Sequence, residues 1–129
     1  MEPTPPATIS ATTLGAVLEN PAERSKVVIL DVRDSDFAGG NIRGAVNVPS
    51  EDFRARLPEI SRRYGATETV VVHCMMSQVR GPTCAKMLKH QLEMDGCQAR
   101  VMVLEGGFTS FQRTHRSHNP HLLENLDED

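Results

Sequence analysis

The chain has 129 residues, a length that fits one compact domain. Its formal net charge of -3 argues against a nucleic-acid binder, and no apolar run approaches the ~20 residues that span a bilayer. Three cysteines, an odd and sparse set with no secretory signal ahead of them, point to free thiols in a reducing compartment, cytoplasmic or nuclear.

Residues 1–8 are Pro-rich and read as a flexible leader. Thr12 and Thr13 can cap a helix through Leu14, Val17 and Leu18, which Asn20-Pro21 ends. Val27 to Val32 is a largely β-branched run with Asp31 as its one charged member, the pattern of a strand buried on both faces. Asp34 to Gly44 is rich in turn residues, and Ala45 to Val48 is a short strand stopped by Pro49. A helix follows from Ser50 through Phe53 to Ile60, with a bend expected before Pro58. Its arginines, Arg54, Arg56, Arg62 and Arg63, suggest a solvated face and, as the other reading, a docking surface.

Thr69 to His73 is a third strand, and Gly81-Pro82 opens a helix carrying Ala85, Leu88 and Leu92 on one face. Arg100 to Leu104 is a fourth strand, and Gly106-Gly107 leads into a helix with Phe108 and Phe111. Strands alternating with helices predict a single α/β domain over residues 9–118, with a mainly parallel sheet flanked by helices. Residues 119–129 read as a loose acidic tail. His115, His118 and His121 are three apart, but Pro120 interrupts any helix that would align them, so no metal site is expected.

In open α/β sheets, ligands sit at the carboxyl ends of the strands, and Cys74 stands at that end of the third strand. The segment His73-Cys74-Met75-Met76-Ser77-Gln78-Val79-Arg80 then runs directly into a helix start. Such a tight turn can aim the backbone N–H groups of Met75, Met76, Ser77, Gln78, Val79 and Arg80 inward as an anion nest. The positive end of the helix dipole adds to that field, and the Arg80 guanidinium can donate two parallel hydrogen bonds to an oxyanion. The same field favours the thiolate of Cys74. The expected site is therefore a nucleophilic Cys74 beneath a tetrahedral oxyanion clamped by Arg80. His73 either stiffens the loop through a hydrogen bond or packs in the core. Ser77 either reaches the sulfur or the bound oxygens, or is a turn residue.

These residues carry a resemblance. The stretch from His73 to Ala85 resembles the active-site loop of rhodanese-fold phosphatases of the M-phase-inducer (cell-division-cycle) type. It is most similar to their small plant, fungal and trypanosomatid relatives, some of which reduce arsenate or antimonate. Leu30 to Pro49 looks like the rhodanese pattern Asp-x-Arg followed by Gly-x-Ile-x-Gly-Ala-x-Asn-x-Pro, and Leu104 to Phe111 resembles the rhodanese C-terminal motif. Sulfur-transferring rhodaneses usually carry a loop one residue shorter, so the resemblance disfavours a sulfurtransferase. The intact Cys74 and Arg80 disfavour a non-catalytic module.

The resemblance implies a cysteine-dependent phosphatase acting on a phosphorylated protein through a thiophosphate intermediate. Its alternative is an arsenate (antimonate) reductase using the same Cys74 and Arg80, with glutathione and a glutaredoxin as electron donors and no bound cofactor. Four departures matter. Met75 stands where the phosphatases often have Glu, so the loop offers no carboxylate to protonate a leaving alkoxide; Asp34 and Asp36 are candidate stand-ins, with Asp34 read rather as a turn residue. Val32 stands where some relatives hold a second Cys, and Asn41 where many have His. The Cys-rich zinc-binding tail of the plant relatives has no counterpart. Cys84 is expected to pack in a helix core, or to act as a resolving thiol if it lies near Cys74, and Cys97 to be a surface or edge thiol.

Overall fold

The computed structural model describes residues 4–126. Its centre is a five-stranded, all-parallel sheet built from β1 (Ala7–Ile9), β2 (Val27–Asp31), β4 (Val46–Asn47), β5 (Thr69–His73) and β6 (Arg100–Leu104). The strand order is β1-β6-β5-β2-β4, so β5 lies in the middle. Helices α1 (Ala11–Glu19) and α5 (Gly107–His115) contribute to one apolar layer, and α3 (Ser50–Tyr64) and α4 (Arg80–Met94) to the other. A short α2 (Pro21–Arg24) follows α1.

The period of two along each strand sorts side chains between the layers. Val70 and Val72 join Leu30, Val103, Phe53, Ile60 and Leu88 in one core, whereas Val71 joins Ile29, Leu14, Phe108 and Phe111 in the other. A sheet covered on both faces needs near-continuous apolar strands, which is why VVVH and VVIL were readable as strands.

Several boundaries move. Ser10, rather than Thr12 or Thr13, caps α1: its hydroxyl accepts from the Thr13 N–H at 3.1 Å, and its extended backbone continues from β1. The expected leader contributes Ala7 and Thr8 to that edge strand, paired with Met102 and Val103, while residues 1–3 lie outside the described part. The helix that begins at Ser50 continues through Pro58 to Tyr64. The expected loose tail is structured as far as Leu126: β7 (Leu123–Glu124) pairs antiparallel with β3 (Asn41–Ile42). Burial of Leu122 and Leu123 holds it there, and residues 127–129 lie outside the described part. Asn41 donates to Glu124 within this small sheet. His115 is buried with Nε2 on the Ala11 carbonyl, and His121 pairs with Glu19. No helix among the described residues is long and apolar enough to cross a membrane.

Parallel strands put their carboxyl ends on one edge, and three neighbours, β2, β5 and β6, deliver their following loops there. These are the turn around Asp34–Asp36, the loop from Cys74 to Arg80 and the Gly106-Gly107 pair.

Candidate active site

The loop from Cys74 to Arg80 joins the end of β5 directly to α4, whose first residue is Arg80. Two backbone N–H groups donate to the Cys74 sulfur: Ser77 at 3.2 Å and Gly81, in the first turn of α4, at 3.3 Å. Ser77 adopts φ 53, a left-handed conformation uncommon outside glycine, which turns its N–H back toward the sulfur. The N–H groups of Met75, Met76, Gln78, Val79 and Arg80 find no acceptor among the described residues. That set is a cradle of unsatisfied donors at a helix N-terminus, the arrangement that binds an anion.

The carbonyls of the same loop are tied down from behind. The Phe108 N–H and the His73 imidazole Nδ1–H both donate to the Cys74 carbonyl, at 3.0 and 2.9 Å, and the Thr109 N–H donates to the Met75 carbonyl at 2.9 Å. The start of α5 thus holds these two peptide oxygens. This approach requires Gly107. Its φ is 58, and a Cβ there would lie 2.5 Å from the Met75 oxygen and 2.6 Å from the Cys74 oxygen. Gly81 is tight as well, since a Cβ would meet the Ser77 hydroxyl at 3.2 Å and the Cys74 nitrogen at 3.3 Å.

His73 is fully buried, and burial holds its imidazole below the ordinary value, so the ring is neutral with its proton on Nδ1. Of its two sequence readings, the loop-stiffening hydrogen bond is present and the core burial is too. Its Nε2 has no hydrogen-bond partner among the described residues and stands 3.7 Å from the Asp31 carboxylate. The Ser77 hydroxyl is buried without a partner among the described residues. The side chains of Met76 and Val79 point outward, 51% and 70% exposed, and Gln78 is also exposed. Met75 is half-buried and packs toward the α1–α5 layer. These residues therefore offer the cradle backbone, not side chains.

Arg80 does not stand alone. Its Nη2 donates to Asp36 Oδ2 at 2.7 Å, and its Nη1 to Asp36 Oδ1 at 3.0 Å and Asp34 Oδ2 at 3.3 Å. The Arg80 hydrogen bonds hold the Asp36 carboxyl below the usual range, outweighing burial. At Asp34, burial pushes the other way but is outweighed by the Ser50 hydroxyl, the Glu51 N–H and Arg80. Both are carboxylates at neutral pH, so neither carries a proton for a leaving group while so paired. The two Asp raise the Arg80 guanidinium further above its already high value.

The turn that bears them is fixed by a buried cation. Arg33, 1% exposed, is bidentate to Asp31, donates to the carbonyls of Gly40 at 2.7 Å and Asp36 at 3.3 Å, and stacks 4.4 Å from the Phe108 ring centre. The motif Asp31-Val32-Arg33 was visible in the sequence, but its part in shaping the Asp36 turn was not. The pairing of Asp36 with Arg80, across 44 residues, left no local signal.

Cys84 and Cys74 share one buried cluster, but burial, aided by the negative charge of Cys74, pushes the Cys84 thiol up to about 12. The helix-core reading of Cys84 therefore holds, and its proton is firmly retained. Cys97 sits at the other end of the sheet, ahead of β6, beside Ser61 and Gly65.

Residues 15–114 match the family described as rhodanese-like domain. The chain is 44% identical over 92 residues to arsenate reductase 2.1 of Oryza sativa subsp. japonica, covering 67% of this chain and 57% of that protein. It is 35% identical over 112 residues to arsenate reductase 2.2 of the same organism, covering 84% and 83%. The dual specificity phosphatase ibp1 of Schizosaccharomyces pombe is 31% identical over 118 residues, covering 78% and 83%. Among solved structures, the As-Sb reductase from Leishmania major superposes with a TM-score of 0.78 at 28% identity, covering 92% of this chain and 84% of that one. By family match and fold, the chain belongs to the rhodanese-like domain family.

Proposed function

We propose that this chain is a cysteine-dependent phosphatase of the tyrosine or dual-specificity kind, with Cys74 as nucleophile and Arg80 as oxyanion clamp. The observation that carries the reading is the pair of N–H groups, from Ser77 and Gly81, aimed at the Cys74 sulfur inside a ring of unsatisfied amides. The thiolate attacks phosphorus, an S–P bond forms, and the ester P–O bond breaks with the alkoxide or phenoxide leaving. Arg80 and the loop amides hold the equatorial oxygens as charge builds on them. Water then cleaves the S–P bond, releasing phosphate and restoring the thiolate.

Neither Asp34 nor Asp36 stands ready with a proton, because both are held ionised. Leaving groups that need little protonation are favoured, so aryl phosphates should outrun alkyl ones. The exposed Met76 and Val79 flank the cradle with apolar surface suited to an aromatic ring.

The same absence supports a second reading, arsenate reduction. Arsenic exchanges its oxygens readily, so Cys74 can displace hydroxide from arsenate without a strong acid. Two electrons then reach arsenic as a glutathione sulfur forms a disulfide with Cys74 and arsenite leaves. A glutaredoxin with a second glutathione returns Cys74 to the thiol. An external thiol is needed here because Cys84 keeps its proton and Cys97 lies a sheet's length away. The names of the rice and Leishmania relatives favour this reading, and that of the fission-yeast relative favours the first.

A paired assay tests both readings: aryl phosphate hydrolysis and glutathione-dependent arsenate reduction, each with Cys74→Ser alongside. At least one activity should be present and should vanish in the variant. Retention of an activity by Cys74→Ser removes Cys74 from that chemistry, and robust sulfur transfer from thiosulfate to cyanide overturns both readings.

A further inference from the structure

We infer that Asp36 is a positioning residue: it grips the end-on edge of Arg80 so that the side-on edge stays turned to the oxyanion. The inference rests on the reading of Arg80 as the oxyanion clamp. A guanidinium has five N–H groups, two on each Nη and one on Nε. Asp36 takes one from each Nη, in the bidentate geometry of a fork meeting a carboxylate, at 2.7 and 3.0 Å. Asp34 takes the second of Nη1 at 3.3 Å. Nε makes no hydrogen bond among the described residues. What remains free is the Nε–H and one Nη2–H, which point the same way and form the pair suited to two oxygens of one tetrahedral anion.

The carboxylates therefore occupy the N–H groups that the anion does not need. They also fix the plane of the guanidinium, whose long side chain would otherwise lose rotamer freedom on binding. The grip is itself anchored. The Asp34 N–H donates to Asp36 Oδ1 at 2.9 Å, and the Ser50 hydroxyl donates to Asp34 Oδ2 at 2.7 Å. Arg33 holds the Asp36 carbonyl, and through it the turn is tied to the buried Asp31–Arg33 pair. A residue merely capping a turn needs none of the bidentate geometry toward Arg80. A general acid would need a free, protonated oxygen, and both Asp36 oxygens are engaged by donors.

The test is a double-mutant cycle with Asp36→Asn, Arg80→Lys and the pair, read by kcat and KM for an aryl phosphate. Calorimetric binding of inorganic phosphate to the same set in a Cys74→Ser background gives the affinity alone. Asp36→Asn should weaken phosphate binding and kcat/KM on the order of tenfold, and by under about twofold once Arg80 is Lys, because the two act as a unit. Thermal melting separates a structural role, which would lower Tm in every background and leave phosphate affinity of the folded protein unchanged. That result overturns the inference, as does an Asp36→Asn loss undiminished beside Lys at position 80. Tighter phosphate binding by Asp36→Asn also overturns it, since the carboxylate would then be a competitor for Arg80. If Arg80→Lys alone changes neither binding nor turnover, the oxyanion-clamp reading itself has failed.

Discussion

Cys74 and Cys84 lie in one core cluster at nearly equal exposure, 3% and 2%, yet their surroundings differ in kind. The Cys74 sulfur sits at a strand end where two N–H groups and a helix N-terminus face it. The Cys84 sulfur sits a helical turn inside α4, among apolar neighbours, with its thiol pushed up to about 12 by burial. Burial alone therefore does not distinguish the two thiols. Backbone donors aimed at the sulfur do, and such donors can replace lost solvent around a negative charge.

The sharpest way to break this contrast is to remove each sulfur in turn. Cys74→Ser should cost roughly a thousandfold or more in kcat, as loss of a nucleophile does. Cys84→Ala should leave kcat/KM within about threefold and lower stability by about 1–2 kcal/mol through lost packing. Equal kinetic losses in the two variants would show that the donors around Cys74 confer nothing special.

A smaller effect probes how the donors are held. Gly107→Ala places a Cβ against the Cys74 and Met75 carbonyls at a φ of 58. It should destabilise the fold by about 2–3 kcal/mol and reduce turnover of the remaining folded protein as the loop is pushed from behind. A variant with wild-type Tm and kcat would mean that α5 does not shape the loop.

The smallest effect concerns acid. Asp34 and Asp36 have folded values below their ordinary 3.8, so they stabilise the fold above that pH. Their contribution is lost as the pH falls through the lowered folded values. Asp36→Asn should flatten the acid limb of stability against pH, read by denaturant midpoints between neutral and strongly acidic buffers. An unchanged acid limb would mean that the ion pair with Arg80 is not formed in solution.

What the sequence revealed follows from distance along the chain. VVVH, VVIL and RVMVL are strands because a sheet covered on both faces demands apolar runs, and such runs are local. Cys74 and Arg80 were legible because a strand, a short loop and a helix start are contiguous. The Asp36–Arg80 pair spans 44 residues, and the Thr109–Met75 bond links the first turn of α5 to the loop after β5, so no local pattern announces either. Strands as short as Ala7–Ile9 and Leu123–Glu124 show no period, which is why the leader and the tail read as loose. Ser10 lost its place as the cap of α1 to Thr12 and Thr13 because the edge strand before it went unseen.

Peptide-resolved alkylation of the three cysteines by iodoacetamide, with and without inorganic arsenate or phosphate, tests the central claim most directly. Cys74 should react at neutral pH and be protected by either anion in a dose-dependent way. Cys97 should react without protection, and Cys84 should stay unmodified in the folded protein. Alkylation of Cys74 that is indifferent to both anions, or that lags behind Cys84, would contradict an amide cradle holding a tetrahedral oxyanion over the Cys74 sulfur.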